Sequence, residues 1–234
     1  MTKFLITGAS SGIGRAVARK LAARGAMLLL NSRSAERLGP VGGQCIAAGG
    51  TGVVHAADLT APGVVEGLFK AAQDQLGGLD AVIHCAGVGL VKPTLETTDA
   101  EFSDVMNVNA RATFLVAREA CRYFSNQKRG LFITLPGILG RTGMRNATAY
   151  AASKFAVTGM LKSMSHEFQR NGVRIGLLHL GAVDTPFWDN IQMSIQRDRM
   201  IPVEVAADAV ISAIDLPSHL VLNEIVLQPD SQQM

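Results

Sequence analysis

The chain contains 234 residues, of which 48% are hydrophobic and 18% are charged. This balance excludes a disordered chain and favours a parallel sheet covered on both faces by helices, so we expect one domain over residues 1–234. The net charge of +3 comes from scattered basic residues, which argues against a nucleic-acid partner.

The first predicted element is an apolar strand, Lys3–Thr7, which runs into a glycine-rich turn and then an amphipathic helix, Arg15–Arg24. Glycines permit a tight bend close to a ligand, and the N–H groups at the start of a helix attract a pyrophosphate. The spacing GxxxGxG departs from the GxGxxG dinucleotide fingerprint, so the turn needs support from elsewhere in the chain. The candidate cofactor contacts in this turn are Gly8, Ser10, Ser11, Gly12, Ile13 and Gly14.

Further strand-like runs alternate with helix-like stretches along the rest of the chain. This alternation predicts an α/β fold with a doubly wound parallel sheet of about seven strands and right-handed crossovers. Pro202 marks the start of the last predicted helix. The runs are Met27–Asn31, Gly52–Ala56, Ala81–Cys85, Leu131–Leu135, Arg174–Leu180 and Val221–Leu227.

The second predicted strand ends in Ser32 and Arg33 and carries no acidic residue there. An acidic side chain at this point would bind the ribose 2′-hydroxyl of NAD, whereas a guanidinium binds the 2′-phosphate of NADP. The sequence therefore predicts NADP(H) rather than NAD(H) as the cofactor. The alternative is that Arg33 is a solvated loop arginine.

Tyr150 and Lys154 lie four residues apart in a predicted helix and therefore share one face. An ammonium group beside a phenol favours the phenolate and lowers the phenol pKa from about 10, as proton transfer near neutral pH requires. Alone, such a pair is typical of a helix surface. Together with the glycine-rich turn, it indicates a catalytic site.

Six segments in this order resemble the short-chain dehydrogenase/reductase family over essentially the whole chain. The resemblance implies a single Rossmann-like domain, a nicotinamide cofactor and reversible hydride transfer between a carbonyl and an alcohol. The segments are TGASSGIG at Thr7–Gly14, AADL at Ala56–Leu59, CAG at Cys85–Gly87, NVN at Asn107–Asn109, YAASK at Tyr150–Lys154 and LGAVDT at Leu180–Thr185.

The resemblance also implies roles for individual residues. Tyr150, Lys154 and Asn109 are the implied catalytic residues, with the Asn109 carbonyl holding a water in a proton relay through Lys154. Asn109 fits the family pattern better than Asn107, and the alternative for both is a helix asparagine with a local hydrogen bond. The implied cofactor contacts beyond the glycine-rich turn are Asp58 and Leu59 at the adenine, Ala86 and Gly87 at the ribose, Tyr150 and Lys154, and Gly181, Val183 and Thr185.

One departure from the family concerns its catalytic serine, which stands thirteen residues before the tyrosine, where this chain has Gly137. Losing one such oxyanion donor costs on the order of 10²–10³ in rate. Thr134 and Thr142 are the nearest hydroxyls in sequence, but we interpret them as ordinary strand and loop residues. His84 and Cys85 replace two common asparagines, and we expect them to pack at a strand end rather than bind metal.

Two regions contain more apolar residues than a sheet-facing stripe needs. Asp184–Ile201 matches the family's lid and predicts a small carbonyl or alcohol substrate of apolar character. The helices at about Ala100–Asn126 and Ala149–Asn171, which contain Asn109 and Tyr150, predict a homodimer or homotetramer, the alternative being that they cover the sheet. The lid residues are Phe187, Trp188, Ile191, Met193 and Ile195, and the helix residues are Phe114, Val116, Phe155, Val157, Met160 and Met164.

Three functions remain open from the sequence. The first is an NADP(H)-dependent carbonyl reductase of low or specialised activity, and the second, which Gly137 favours, is a non-catalytic NADP(H)-binding sensor or scaffold. An epimerase or dehydratase is the third and fits least, because the chain ends soon after its last strand.

Three separated cysteines, the lack of a leader and the lack of an apolar run of roughly 20 residues predict a cytoplasmic protein with no metal and no membrane partner.

Overall fold

Strands and helices alternate along the chain in a computed structural model that describes residues 2–191 and 196–230. Within these residues the strands are β1 (Lys3–Thr7), β2 (Met27–Ser32), β3 (Thr51–Ala56), β4 (Ala81–His84), β5 (Gly130–Thr134), β6 (Val173–Leu180) and β7 (Glu224–Leu227). The α-helices there are α1 (Gly12–Ala22), α2 (Ala35–Ala47), α3 (Val64–Leu76), α4 (Asp99–Met106), α5 (Ala112–Gln127), α6 (Thr148–Phe168) and α7 (Val203–Ile214).

The described strands form one seven-stranded sheet in the order β3-β2-β1-β4-β5-β6-β7, and each neighbouring pair is parallel. Thr7 pairs with Asn31 of β2 on one side and with His84 of β4 on the other, so the carboxyl ends of the central strands are level. The strand order reverses between β1 and β4, and open parallel sheets bind ligands at such a switch point. The predicted doubly wound, Rossmann-like parallel sheet is confirmed.

Two apolar layers cover the two faces of the sheet, because successive side chains of a strand point to opposite faces. In β1, Phe4 and Ile6 face the layer formed with α1 and α7, while Leu5 faces the layer formed with α3, α5 and α6. Representative buried helix residues are Val17, Leu21, Val210 and Ile214 in the first layer and Leu68, Val116, Phe124 and Leu161 in the second. Burial on both faces makes the sheet a rigid base for the loops at its carboxyl edge.

The helix predicted over Ala100–Asn126 is not continuous. A π-helical turn, Asn107–Arg111, separates α4 from α5, and the Ala112 N–H bonds to the carbonyl of Asn107. Asn109 lies inside this wider turn, and its side chain makes long-range hydrogen bonds that an unbroken helix would not place in the same way. Turns of this kind often occur at functional sites.

Smaller differences concern the ends of elements. The last strand begins at Glu224 rather than at Val221, and Pro202 is the N-cap of α7 rather than its first helical residue. Assignments of element ends differ by one or two residues in general. The predicted lid residues Met193 and Ile195 lie outside the described residues.

Candidate active site

A cavity of about 420 Å³ opens at the carboxyl edge of the sheet, within the size range of small-molecule and cofactor sites. Every residue predicted to contact the cofactor lines this cavity, including Tyr150 and Lys154. Asn109 does not line it, because it lies behind the wall with only 1% of its surface exposed. The structure thus brings the predicted contacts together, and their roles toward a cofactor remain predictions.

The glycine-rich turn offers backbone N–H groups to the cavity. Ser11 is the N-cap of α1, its side chain caps no backbone group, and the first helical turn contains no acidic residue. Gly8 has φ +65°, and a Cβ there would lie 2.7 Å from the backbone nitrogen of Ala86, so this turn packs directly on the end of β4. An uncapped helix start beside a side-chain-free turn fits an anionic pyrophosphate.

Two arginines stand at the rim of the cavity near the end of β2. Arg33 and Arg37 both line it and are exposed, and the Ser34 hydroxyl caps α2 by accepting from the Arg37 N–H at 3.2 Å. Arg37 was not among the predicted contacts, although its place in the first turn of the helix that follows Arg33 was a usable signal. Asp58 is the acidic residue of the described lining, and hydrogen bonds from Thr60 lower its carboxyl pKa.

Tyr150 and Lys154 lie together at the other end of the cavity. Lys154 Nζ is 5.5 Å from the centroid of the Tyr150 ring and donates to the Leu135 carbonyl at 3.3 Å. Burial lowers the pKa of Lys154 to about 8. Burial also raises the pKa of the Tyr150 phenol above its ordinary value. The expectation that Lys154 lowers this pKa is therefore wrong for this structure, because desolvation of the phenolate dominates.

Asn109 connects this end of the cavity to the loop after β4. Its Oδ1 accepts from the Val88 N–H at 2.8 Å, and its Nδ2 donates to the Val88 carbonyl at 2.8 Å and to Ser153 Oγ at 3.0 Å. Ser153 in turn donates to the Tyr150 carbonyl at 2.7 Å. A Cβ placed on Gly87 would lie 3.2 Å from Asn109 Oδ1 and 3.5 Å from Lys154 Nζ, so the amide and the ammonium both flank that glycine.

Gly137 lines the cavity just after β5 with φ +71° and ψ 176°, a conformation that is essentially restricted to glycine. The atom nearest to a Cβ at this position would be the Leu180 carbonyl oxygen, at 3.6 Å. A side chain would therefore fit in the available space, but the backbone conformation is unfavourable for any residue other than glycine. The Thr134 hydroxyl donates to the His84 carbonyl at 2.9 Å and is buried. Thr142 is exposed and does not line the cavity.

An aromatic wall covers Tyr150. The Phe187 ring centroid is 5.8 Å from that of Tyr150 and 5.3 Å from that of Trp188, whose indole N–H donates to the Val183 carbonyl at 2.9 Å. A Cβ on Gly89 would lie 2.2 Å from the Phe187 ring, so the ring packs directly on backbone. This half of the cavity therefore presents apolar surface next to the phenol.

Metal and thiol chemistry have no support at this site. Within residues 2–191 and 196–230, no group of three or more His, Cys, Asp or Glu side chains could hold a metal ion. Cys85 lines the cavity, but burial raises its pKa to about 12, so it remains a thiol. No helix in the described part of the chain is long and apolar enough to cross a membrane.

Comparison with known proteins decides the family, because the short chain dehydrogenase model matches residues 2–196. The chain belongs to the short-chain dehydrogenase/reductase family. An oxidoreductase of Staphylococcus epidermidis is 30% identical over 225 residues, which cover 96% of each protein. This relative is an uncharacterized oxidoreductase, so it supports the reaction class and indicates no substrate.

Two solved structures of the family share the fold. An alcohol dehydrogenase from the archaeon Thermococcus sibiricus, complexed with 5-hydroxy-NADP, gives a TM-score of 0.91 at 26% identity and covers 100% of this chain and 98% of its own. A metagenomic short-chain oxidoreductase in complex with NADP gives a TM-score of 0.85 at 28% identity, with 97% and 96% covered. The family is one of oxidoreductases, and both solved relatives hold an NADP-type nucleotide.

Proposed function

We propose that the protein is an NADP(H)-dependent oxidoreductase that interconverts a carbonyl and an alcohol by hydride transfer. The observation that carries this proposal is the shared cavity: Tyr150 and Lys154 line the same space as the uncapped start of α1. A proton donor and an anion-binding helix start in one cavity suit a reaction between a nucleotide cofactor and a small substrate.

The residues present fit an NADP-type nucleotide. The pyrophosphate would lie on the Ser10–Gly14 turn, the adenine beside Asp58 and Leu59, and the nicotinamide half beside Gly87 and the loop 181–185. When bound, the nicotinamide supplies or accepts the hydride. Preference for NADP over NAD is supported by Ser32, Arg33 and Arg37 at the rim, because guanidinium groups bind a 2′-phosphate and no acidic side chain stands at the end of β2 itself.

The protein's own part of the chemistry is proton transfer. The Tyr150 hydroxyl is protonated at neutral pH and can donate to a substrate oxygen in the direction of reduction, although its raised pKa makes it a weaker acid than an ordinary phenol. The family resemblance implies that Lys154 and the backbone carbonyl of Asn109 form the path by which this proton is replaced. Gly137 provides no hydroxyl where the family's serine is expected, and we therefore expect low or specialised activity.

The substrate is proposed to be a small carbonyl compound or alcohol with an apolar substituent. Val88, Leu135, Phe187 and Trp188 line the cavity around Tyr150 and offer apolar contacts. Among the described lining residues, the charged groups other than Lys154 are Arg33, Arg37 and Asp58, which stand near the end of β2 and the loop after β3. Apart from Lys154, a charged substituent would therefore find no ionised partner near Tyr150.

We also propose that the protein forms a homodimer or homotetramer in which subunits contact each other through α5 and α6. Phe114 and Phe155 are 41% and 47% exposed on these helices, so each offers apolar surface that a second subunit could cover. Val116, Val157 and Met164 instead lie in the core, as the alternative interpretation held. Three free cysteines agree with the predicted cytoplasmic location, which stays a prediction.

The test is NADPH consumption by the purified protein over a panel of ketones, quinones and diketones. We expect Tyr150→Phe to lower kcat by about 10²–10⁴ while the Kd for NADPH changes by less than about tenfold, the loss of one hydrogen bond. Tyr123→Phe is the matched control, because the Tyr123 hydroxyl donates to Gln73 away from the cavity. Equal rates for the wild type and Tyr150→Phe would contradict the proposal.

A second function, a non-catalytic NADP(H)-binding sensor or scaffold, is favoured by Gly137 alone. Its backbone conformation is essentially restricted to glycine, so the position is built for the absence of a side chain. A wild type that binds NADPH tightly and reduces no compound of the panel would favour this function over catalysis.

A further inference from the structure

A buried row of polar side chains lies behind the cavity. Thr7, His84 and Thr113 are each at most 2% exposed and stand at the ends of β1 and β4 and in the first turn of α5. Thr7 Oγ1 lies 2.8 Å from His84 Nδ1, and His84 Nε2 lies 3.0 Å from Thr113 Oγ1. The row ends at the backbone carbonyl oxygen of Asn109, which lies 2.5 Å from Thr113 Oγ1.

The direction of each hydrogen bond in the row follows from what its groups can donate. A carbonyl oxygen only accepts, so Thr113 gives its single hydroxyl proton to Asn109. Toward His84, Thr113 can then only accept, and the network assigns the ring proton to Nε2. Burial, reinforced by the charge of Lys154, lowers the pKa of His84 to about 3, so the ring is neutral and Nδ1 accepts from Thr7.

The row ends on the backbone carbonyl of Asn109, a group that the side-chain hydrogen bonds of this residue do not involve. The amide of Asn109 is used by Val88 and Ser153, whereas its carbonyl receives the Thr113 hydroxyl. A carbonyl oxygen has two lone pairs, and the Thr113 hydroxyl occupies one of them. Because Thr113 is itself held by His84 and His84 by Thr7, the direction of this carbonyl is tied to the two central strands of the sheet.

We propose that Thr113 and His84 are positioning residues that hold the Asn109 carbonyl in the direction needed to order a proton-carrying water beside Lys154. This inference rests on the proposed function, because it presumes proton transfer through Tyr150 and Lys154. Neither residue lines the cavity, so both act through Asn109 and not on the substrate.

The kinetic test compares Thr113→Val, which keeps the shape and removes the hydroxyl, with Thr113→Ser, which keeps the hydroxyl. We expect Thr113→Val to lower kcat about tenfold, to raise the solvent isotope effect on kcat and to change its pH profile, with KM and the NADPH Kd unchanged. Thr113→Ser is expected to restore all three. A Thr113→Val enzyme with a wild-type isotope effect and pH profile would overturn the inference, since a merely structural defect only lowers the active fraction.

A second measurement needs neither substrate nor cofactor. Nitrogen NMR of protein labelled in its five histidines, with His84 assigned through the His84→Gln variant, reports the tautomer directly. We expect an Nε2-protonated ring that does not titrate between pH 5 and 8 and whose Nε2 resonance moves in Thr113→Val. An Nδ1-protonated ring, or titration near the ordinary value of about 6.5, would overturn the inference.

Tyr150→Phe separates the failure of this inference from that of the proposed function. If Tyr150→Phe keeps full activity, the proposed function fails, and the NMR result alone then decides whether the row exists as assigned. If Tyr150→Phe is inactive and Thr113→Val is indistinguishable from Thr113→Ser, the proposed function stands and the positioning role of Thr113 is overturned.

Discussion

The two halves of the cavity are built from different parts of the chain. Near β1 and β2 the wall is mostly backbone, with a glycine-rich turn, an uncapped helix start and two exposed arginines at the rim. Near α6 it is made of interlocked side chains, where Tyr150, Lys154 and Phe187 pack together in front of the buried Asn109. The difference indicates that cofactor affinity and chemistry depend on separate residues, which mutations should be able to separate.

The largest effect on cofactor affinity is expected in the backbone half, from Gly14→Ala. A Cβ at this position would lie 2.5 Å from the Gly8 carbonyl oxygen, so the turn must shift. We expect the Kd for NADPH to rise by at least about 100-fold, because a helix start binds phosphate only when its N–H groups point at it. Gly67→Ala in α3 is the control, with no atom within 4 Å of the added carbon. Wild-type affinity in Gly14→Ala would show that the turn does not carry the nucleotide.

Substitutions at Gly137 test the half of the cavity near α6, because they change the backbone conformation there. Gly137→Ala and Gly137→Ser should each lower the free energy of unfolding by about 1–3 kcal/mol, because both force a side chain into a glycine conformation. The Cβ of either variant faces the Leu180 carbonyl, so the added hydroxyl is expected to bond there and give no rate above that of the alanine variant. Chemical denaturation and NADPH consumption measure the two effects. A serine variant clearly faster than the alanine variant would mean that the hydroxyl reaches the substrate.

Substitution of the two rim arginines is expected to change the affinity for NADPH but not the affinity for NADH. Arg33→Ala and Arg37→Ala are each expected to raise the NADPH Kd about tenfold at low salt and leave the NADH Kd unchanged, because only NADPH carries a 2′-phosphate. Arg170→Ala removes the same charge from the exposed turn that follows α6 and serves as the control. Titration by protein fluorescence or calorimetry gives these constants. Equal losses for NADPH and NADH would contradict the predicted preference.

The smallest effect is expected from the aromatic wall. Phe187→Leu removes a ring 5.8 Å from that of Tyr150, and ring pairs contribute about 0.5–1.5 kcal/mol beyond their buried area. We therefore expect the KM for aryl ketones to rise several-fold, with a smaller change for alkyl ketones. Phe102→Leu on α4 is the exposed control. Unchanged selectivity between aryl and alkyl ketones would show that Phe187 does not contact the substrate.

The sequence predicted the backbone half of the cavity well because its signals are local. The order of strand, glycine-rich turn and helix is visible along one stretch of chain, and β1 matches its predicted bounds Lys3–Thr7. Tyr150 and Lys154 were likewise visible, since residues four apart share a helix face. Arg37 lay within the same local pattern and could have been included with Arg33.

The features that the sequence did not reveal depend on tertiary contacts. The π-helical turn at Asn109 is accompanied by bonds to Val88, Ser153 and Thr113, partners that a helical periodicity does not identify. The direction of the Tyr150 pKa shift depends on how deeply the phenol is buried, which the spacing to Lys154 cannot give.

The most direct measurement of the central claim is a single turnover with NADPH deuterated at the transferred position, in which the alcohol product is analysed for the label. We predict deuterium in the product with the wild type, almost none with Tyr150→Phe, and NADPH Kd values that differ by less than about tenfold between the two proteins. A wild type that binds NADPH and transfers no label to any carbonyl compound of the panel would contradict it and identify a nucleotide-binding protein without this chemistry.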